Sequence, residues 1–344
     1  MSKIEKNKKV IRNMKLPYPG EVYVEEGQEV TPETLIAKTE LLDIQPGYFD
    51  VSDFFNEDFS IKDFKEILNV KIGDYVSRGD VLAEHDSQKL EAPYYGYIEH
   101  ISESGQYILI RQKVSEDEEP LVIDTAEELG ISSRSVTRIL QVEVGEEVFR
   151  SQALAGDIKI VYTPMSGVIK DINQDGKITI KPFYRPKMLY ANVYGTVEKT
   201  DEKQAVSILT TVDLIQGMIG VGKEHSGKLV KLENANENDI AFKTGKITKN
   251  EIRNAIDKDV SGVIASSADA DDLLDIFGSE LYSGVTGIEE KPISLILTDG
   301  FGNTEMQEEI VNGLENSLGE NVTIIPKTNL QTPVRYPEIY LYKN

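Results

Sequence analysis

The chain has 344 residues, with 59 acidic against 37 basic side chains and a formal net charge of −22. A field of that sign repels phosphate backbones and anionic headgroups, which excludes nucleic acid as a partner. Cysteine is absent, and with it go disulfides, thiolate nucleophiles, iron–sulfur clusters and cysteine zinc sites.

The length predicts two or three domains, since one domain usually takes roughly 100–200 residues. Residues 1–13 form a basic N-terminal arm without the apolar core of a secretion signal, and no stretch approaches the ~18 apolar residues of a membrane span. A cytoplasmic location without membrane insertion is therefore expected. The three histidines, His85, His100 and His225, show no metal-ligand spacing, so neither a metal nor another cofactor is expected.

From residue 14 onward one pattern recurs without gaps. It runs VEEGQEVTPETLIA from Val24, VKIGDYVSRGDVLA from Val70 and VEVGEEVFRSQALA from Val142. Each copy has Gly three positions after the first Val, a second Val six after it, and a closing Ala at thirteen. Fixed spacing of this kind marks a reused supersecondary unit. A second block follows two of the copies: PYYGYIEHISESGQYILI from Pro93 and PMSGVIKDINQDGKITI from Pro164. In these, Ser104-Gly105 and Asp175-Gly176 separate alternating apolar runs, as in a β-hairpin whose turn needs positive φ. YGTVEKTDEKQAVSIL from Tyr194 is a looser copy.

VKIGDYVSRGDVLAEHDSQKLEAPYYGYI resembles the lipoyl/biotinyl and barrel-sandwich hybrid superfamily, and the resemblance covers residues 14 to about 208. It implies interleaved barrel-sandwich halves but no particular activity, because that architecture serves carriers, adaptors and subunits of redox-driven pumps alike. In lipoyl and biotinyl domains the modified lysine sits at the tip of an exposed hairpin. The resemblance would place such a lysine at Lys89, where only four positions separate it from Pro93 and Ser87-Gln88 precede it. Lys159 is the other position the copies offer.

Two segments read as insertions. Residues 41–66 carry Phe54, Phe55, Phe59 and Phe64 among acids and read as a short helical cover. Residues 115–137 carry the charge run SEDEEP and the helical turn DTAEELG. Residues 209–233 form a Gly-rich β connector, in which GMIGVGKE imitates a phosphate-binding loop but has Glu224 where Ser or Thr would hold magnesium.

From about residue 234 to 344, strand and helix alternate, which predicts a small α/β domain with a mostly parallel sheet. Thr248 and Glu251 match a capping box, as do Thr304 and Gln307. Strands VSGVIASS and ISLILTDG end at Ser266-Ser267 and at the run Thr298, Asp299, Gly300, Phe301, Gly302, Asn303. Ligands on open α/β sheets bind at such carboxyl ends, which makes these eight residues the candidate ligand site.

The fold class is thus multidomain: duplicated barrel-sandwich β units followed by an α/β domain. No nucleophile–base pair can be placed by spacing. The leading expectation is a non-catalytic scaffold or adaptor with a protein partner, compatible with a homo-oligomer. Its rivals are small-molecule binding or catalysis at the TDGFGN run, and a lipoyl- or biotinyl-type carrier on Lys89.

Overall fold

The computed structural model describes residues 3–102, 106–201, 203–278, 285–286, 291–329 and 334–342; the turn at Ser104-Gly105 lies outside these residues. Among the described residues strand accounts for 43% and helix for 16%, so the protein is mostly β, with several sheets. It divides into two compact units. One comprises residues 1–15, 22–37 and 189–344, and the other comprises 16–21 and 38–188.

The three Val-Gly-Val-Ala segments adopt one local structure, set by the positions that recur. The first Gly has positive φ in each copy: +85° at Gly27, +96° at Gly73 and +91° at Gly145. Its N–H donates to Val197 O, Ile98 O and Ile169 O respectively, at 2.8, 2.9 and 2.8 Å. A return bond runs from Val197 N to Gln28 O, Ile98 N to Asp74 O and Ile169 N to Glu146 O, each 2.9 Å. The side chain after the Gly then closes its own turn: Gln28, Asp74 and Glu146 accept from the backbone N–H of Glu25, Lys71 and Glu143. Val30, Val76 and Val148 are buried, as are Ala37, Ala83 and Ala155.

The block after each copy obeys the same logic. Gly195, Gly96 and Gly167 pair with Val30, Val76 and Val148. A Cβ on any of them would run into the opposite strand, at the carbonyl oxygens of Leu209, Arg111 and Lys181 and at an Ile methyl beside each. Three residues after each of these glycines a β-bulge interrupts the register, between Val197 and Lys199, opposite Leu109–Ile110, and between Ile169 and Asp171. The described turn at Asp175-Gly176 has Gly176 at φ +81°, as its sequence predicts.

In the unit of residues 38–188, two four-stranded antiparallel sheets follow one plan. Their strands run Gly47–Asp50, Tyr107–Gln112, Gly96–Ile101, Tyr75–Val76, and Leu121–Asp124, Lys177–Pro182, Gly167–Ile172, Glu147–Val148. The segments expected to be insertions supply the opening strand of each sheet. Asp50 and Asp124 then cap five-residue helices, Val51–Phe55 and Thr125–Leu129, by accepting from Asp53 N and Glu127 N. Left-handed residues Asn56 and Gly130 end those helices. Strands of four residues that are only partly buried do not stand out in sequence as parts of a repeat, which is why 41–66 and 115–137 read as additions. Phe64 and Phe59 are buried there and Phe54 is exposed.

The other unit is organised by one mixed sheet. Its order is Ile219–Val221, Ser294–Phe301, Gly262–Ala268, Ile240–Lys243, His225–Lys231, Asn321–Ile325, Glu338–Leu341, Ala205–Gln216, Gly195–Thr200, Glu29–Val30. The strands from His225 to Phe301 pair in parallel. Strand Gly262–Ala268 is buried along its whole length, the signature of a strand covered on both faces. Val263 and Leu295 point into a cluster with Ile252, Leu273 and Phe277, on helices Lys249–Asp257 and Ala270–Phe277. Ile264 and Ile296 point into a second cluster with Ile310 and Leu314, on helix Glu308–Asn316.

Two expected boundaries, after residues 13 and 208, fall inside strands. The basic arm is a strand, Ile4–Lys15, paired antiparallel with Ala205–Gln216, its apolar positions Val10 and Met14 packing inward. In the β connector 209–233, the twelve-residue strand Ala205–Gln216 crosses residue 208, pairing with the first repeat's block at one end and with Glu338–Leu341 at the other. No described helix is long and apolar enough to cross a membrane.

Candidate functional site

The run Thr298–Asn303 does not form an open turn. Residues 298–301 complete strand Ser294–Phe301, and helix Glu308–Asn316 starts seven residues after it. The register with the neighbouring strand passes from Ala265↔Leu297 to Ser267↔Gly300, so Thr298 and Asp299 both stand opposite Ser266 in a bulge. Gly300 and Gly302 take positive φ, +83° and +121°, as the two glycines suggest. Gly302 N donates to Ala268 O at 3.0 Å, which keeps the chain hugging the strand edge.

Ser266 and Ser267 are wholly buried, and both hydroxyls serve the backbone. Ser266 Oγ donates to Thr304 O, and Ser267 Oγ accepts from Thr304 N at 3.1 Å. Met306 N reaches Thr244 O at 3.0 Å, and Ile247 N reaches Ser267 O at 2.9 Å. The carboxyl edge that an open sheet offers to ligands is therefore occupied here by the chain's own segments 244–247 and 302–306. Thr298 is buried with its hydroxyl donating to Asp299 Oδ2 at 2.7 Å, and Asp299 is half-buried. Phe301, Gly302 and Asn303 are exposed.

The structure thus brings all eight predicted residues together but turns the hydroxyls inward. A serine whose proton is committed to a backbone carbonyl makes a poor nucleophile, and no imidazole among the described residues is bonded to either serine. The Thr304–Gln307 capping box is not formed. Gln307 precedes helix Glu308–Asn316 without a side-chain cap bond, and Glu308 and Glu309 in the first turn oppose an anion there. The Thr248–Glu251 box is formed. Burial raises the Glu251 carboxyl, but bonds from Lys243, Thr248 N and the Thr248 hydroxyl outweigh it and hold the group below its ordinary range. Lys243 lies 2.6 Å from Glu251, Lys246 lies 2.6 Å from Asp269, and Lys249 pairs with Asp275. These links tie the segment after Lys243 to the two helices, and sequence spacing signalled only the capping box among them.

Lys89 belongs to the hairpin Val81–His85 with Gln88–Glu91, whose two-residue turn is Asp86-Ser87, φ +44° and +69°. The tip is therefore the turn, and Lys89 lies on the strand opposite Glu84, its Nζ 3.8 Å from that carboxylate. Lys159 Nζ donates to Glu128 O. His85 lies against Glu57 Oε2 at 3.0 Å and edge-on to Phe55 and Phe59. Among the described residues no group of three His, Asp or Glu side chains is placed to hold a metal.

The phosphate-loop imitation resolves into sheet. Ile219–Val221 pairs antiparallel with Ser294–Phe301, a strand follows where a helix would be needed, and Glu224 forms an ion pair with Arg12 at 2.6 Å. Compared with known proteins, the chain matches no family model and no curated protein.

Proposed function

We propose that this protein is a non-catalytic scaffold or adaptor subunit, built on three modules of barrel-sandwich type related to the lipoyl/biotinyl superfamily, which positions a protein partner in the cytoplasm. The observation that carries the reading is the same hydrogen-bonded cage formed three times around Gly27, Gly73 and Gly145, with chemically different side chains outside it. A fold that repeats its frame and varies its surface suits holding and spacing better than it suits a reaction. The inward use of Ser266, Ser267 and Thr298 supports the same reading.

In two of the three copies the position just before the turn glycine, which the cage leaves free, carries an apolar group, where the first copy has Glu26. Ile72 and Val144, each just before the turn glycine, are 57% and 60% exposed. Neither side chain is needed for the turn, so both are available to a partner. The test is affinity purification of the full chain from its own cells, followed by light scattering of the recovered complex. A stoichiometric partner, released by the pair Ile72→Ser and Val144→Ser at unchanged stability, is expected; a chain recovered alone contradicts the reading. Intact mass of the same sample is expected to equal the bare polypeptide, and a lipoyl or biotinyl increment on Lys89 would favour the carrier function instead.

A further inference from the structure

Strand Ile4–Lys15 pairs along one edge with Ala205–Gln216, in an unbroken antiparallel register from Lys8 to Lys15. Among the described residues no strand joins its other edge, and no backbone hydrogen bond links Lys8–Lys15 to a further segment. Every second residue of an antiparallel ladder turns its N–H and C=O away from its partner strand, so half of this stretch offers a ready row of donors and acceptors.

The side chains give that edge a sign. Lys3–Lys15 holds five lysines and an arginine against one glutamate, in a chain of net charge −22. Glu5 takes up Lys3 and Lys8, and Arg12 is held by Glu224 at 2.6 Å. Lys6, Lys9 and Lys15 are exposed and form no ion pair among the described residues. Val10 and Met14 pack inward, while Lys9, Ile11, Asn13 and Lys15 alternate along the solvent face, with Ile11 50% exposed. Exposed charges are screened beyond roughly 10 Å at 0.1 M salt. A chain docking at the strand spacing of about 5 Å therefore meets the local positive charge, not the net negative one.

A second copy of the same strand fits poorly, since antiparallel pairing centred on Arg12 sets Lys9 against Lys15. Phosphate backbones have no N–H row to match the edge. We propose that this edge accepts an extended acidic segment of another protein as an added strand, with carboxylates six residues apart beside Lys9 and Lys15 and an apolar side chain beside Ile11. The site lies on a different unit from Ile72 and Val144, so it stands or falls separately from them.

The test is fluorescence anisotropy of the full-length protein with a labelled synthetic peptide of about ten residues, alternating valine and threonine, with glutamates six positions apart. Two further peptides carry N-methyl groups along one edge or along the other. Saturable binding is expected for the parent peptide and for one methylated peptide only, because a single edge of the added strand faces the protein. Lys9→Glu with Lys15→Glu is expected to weaken binding about tenfold or more, as loss of two charge pairs and their replacement by repulsion implies. The methylated pair leaves the protein unchanged and carries the test should that variant fail to fold. Absence of saturation, which leaves the lysines only the role of guarding the edge against self-pairing, would overturn the proposal. So would equal binding of both methylated peptides, equal affinity in the folded variant, or equally tight binding of a thymidine oligonucleotide.

Discussion

At the scale of single residues, glycine placement decides more than any charged group. Gly167 has no room for a side chain, because the Lys181 carbonyl and an Ile180 methyl already occupy the Cβ position. Gly167→Ala is expected to lower stability by about 1–3 kcal/mol through overpacking, measured as a shift in the denaturant midpoint. His225 gives a pH prediction. Burial, aided by nearby Lys223, holds its imidazole below the ordinary 6.5. Unfolding then takes up a proton as pH falls below about 6.5, so the contribution of this site is full above that pH and lost as pH drops through the lower folded value. A His225→Gln variant is expected to lose less stability than the parent between about pH 7 and pH 5, and parallel curves for the two would refute the assignment. The candidate site was legible at this scale only in part. Sequence placed Ser266, Ser267 and the Thr298–Asn303 run at neighbouring strand ends, but whether a hydroxyl faces a ligand or its own backbone depends on Thr304, which no periodicity relates to Ser266.

At the scale of elements, the three repeats were legible because each shared position has a physical job. The turn glycine must take positive φ, and the second Val and closing Ala must fill the same buried volume. A Cβ on Gly27 or Gly145 meets nothing within 4 Å, and one on Gly73 meets only Tyr97 OH at 3.9 Å. The cost of alanine at each is therefore backbone strain alone, and Gly27→Ala, Gly73→Ala and Gly145→Ala are expected to cost the same, about 1 kcal/mol. Chemical denaturation checks it; unequal costs would mean that the three turns are not one structure. The opening strands Gly47–Asp50 and Leu121–Asp124 were not legible, being four residues long and only half-buried. Nor was the strand Ile4–Lys15, whose four lysines between positions 6 and 15 conceal an alternating apolar face.

At the scale of the molecule, chain order and spatial organisation part company. The sequence shows three repeats in a row followed by a change of pattern near residue 234, which suggests cutting the chain there. The first repeat instead shares its core with the sheet that continues to the C-terminal strands, through Val197, Val206, Ile208 and Tyr340. The other two repeats have cores of their own, one around Leu82, Ile98, Ile108 and Phe64, the other around Val148, Leu154, Ile169 and Ile180. The chain leaves the first unit after Ala37 and re-enters it at Leu189, within strands that are neighbours in one sheet. Long-range pairing of that kind leaves no local trace, since residues 37 and 189 are brought together by the closure of everything between them. The most direct measurement is hydrogen exchange by NMR on the isolated fragment 38–188. Dispersed amide signals with slow exchange at Gly73 and Gly145, whose N–H groups close the two cages, are the result expected of two self-sufficient modules. A collapsed spectrum, or free exchange at either glycine, would contradict it.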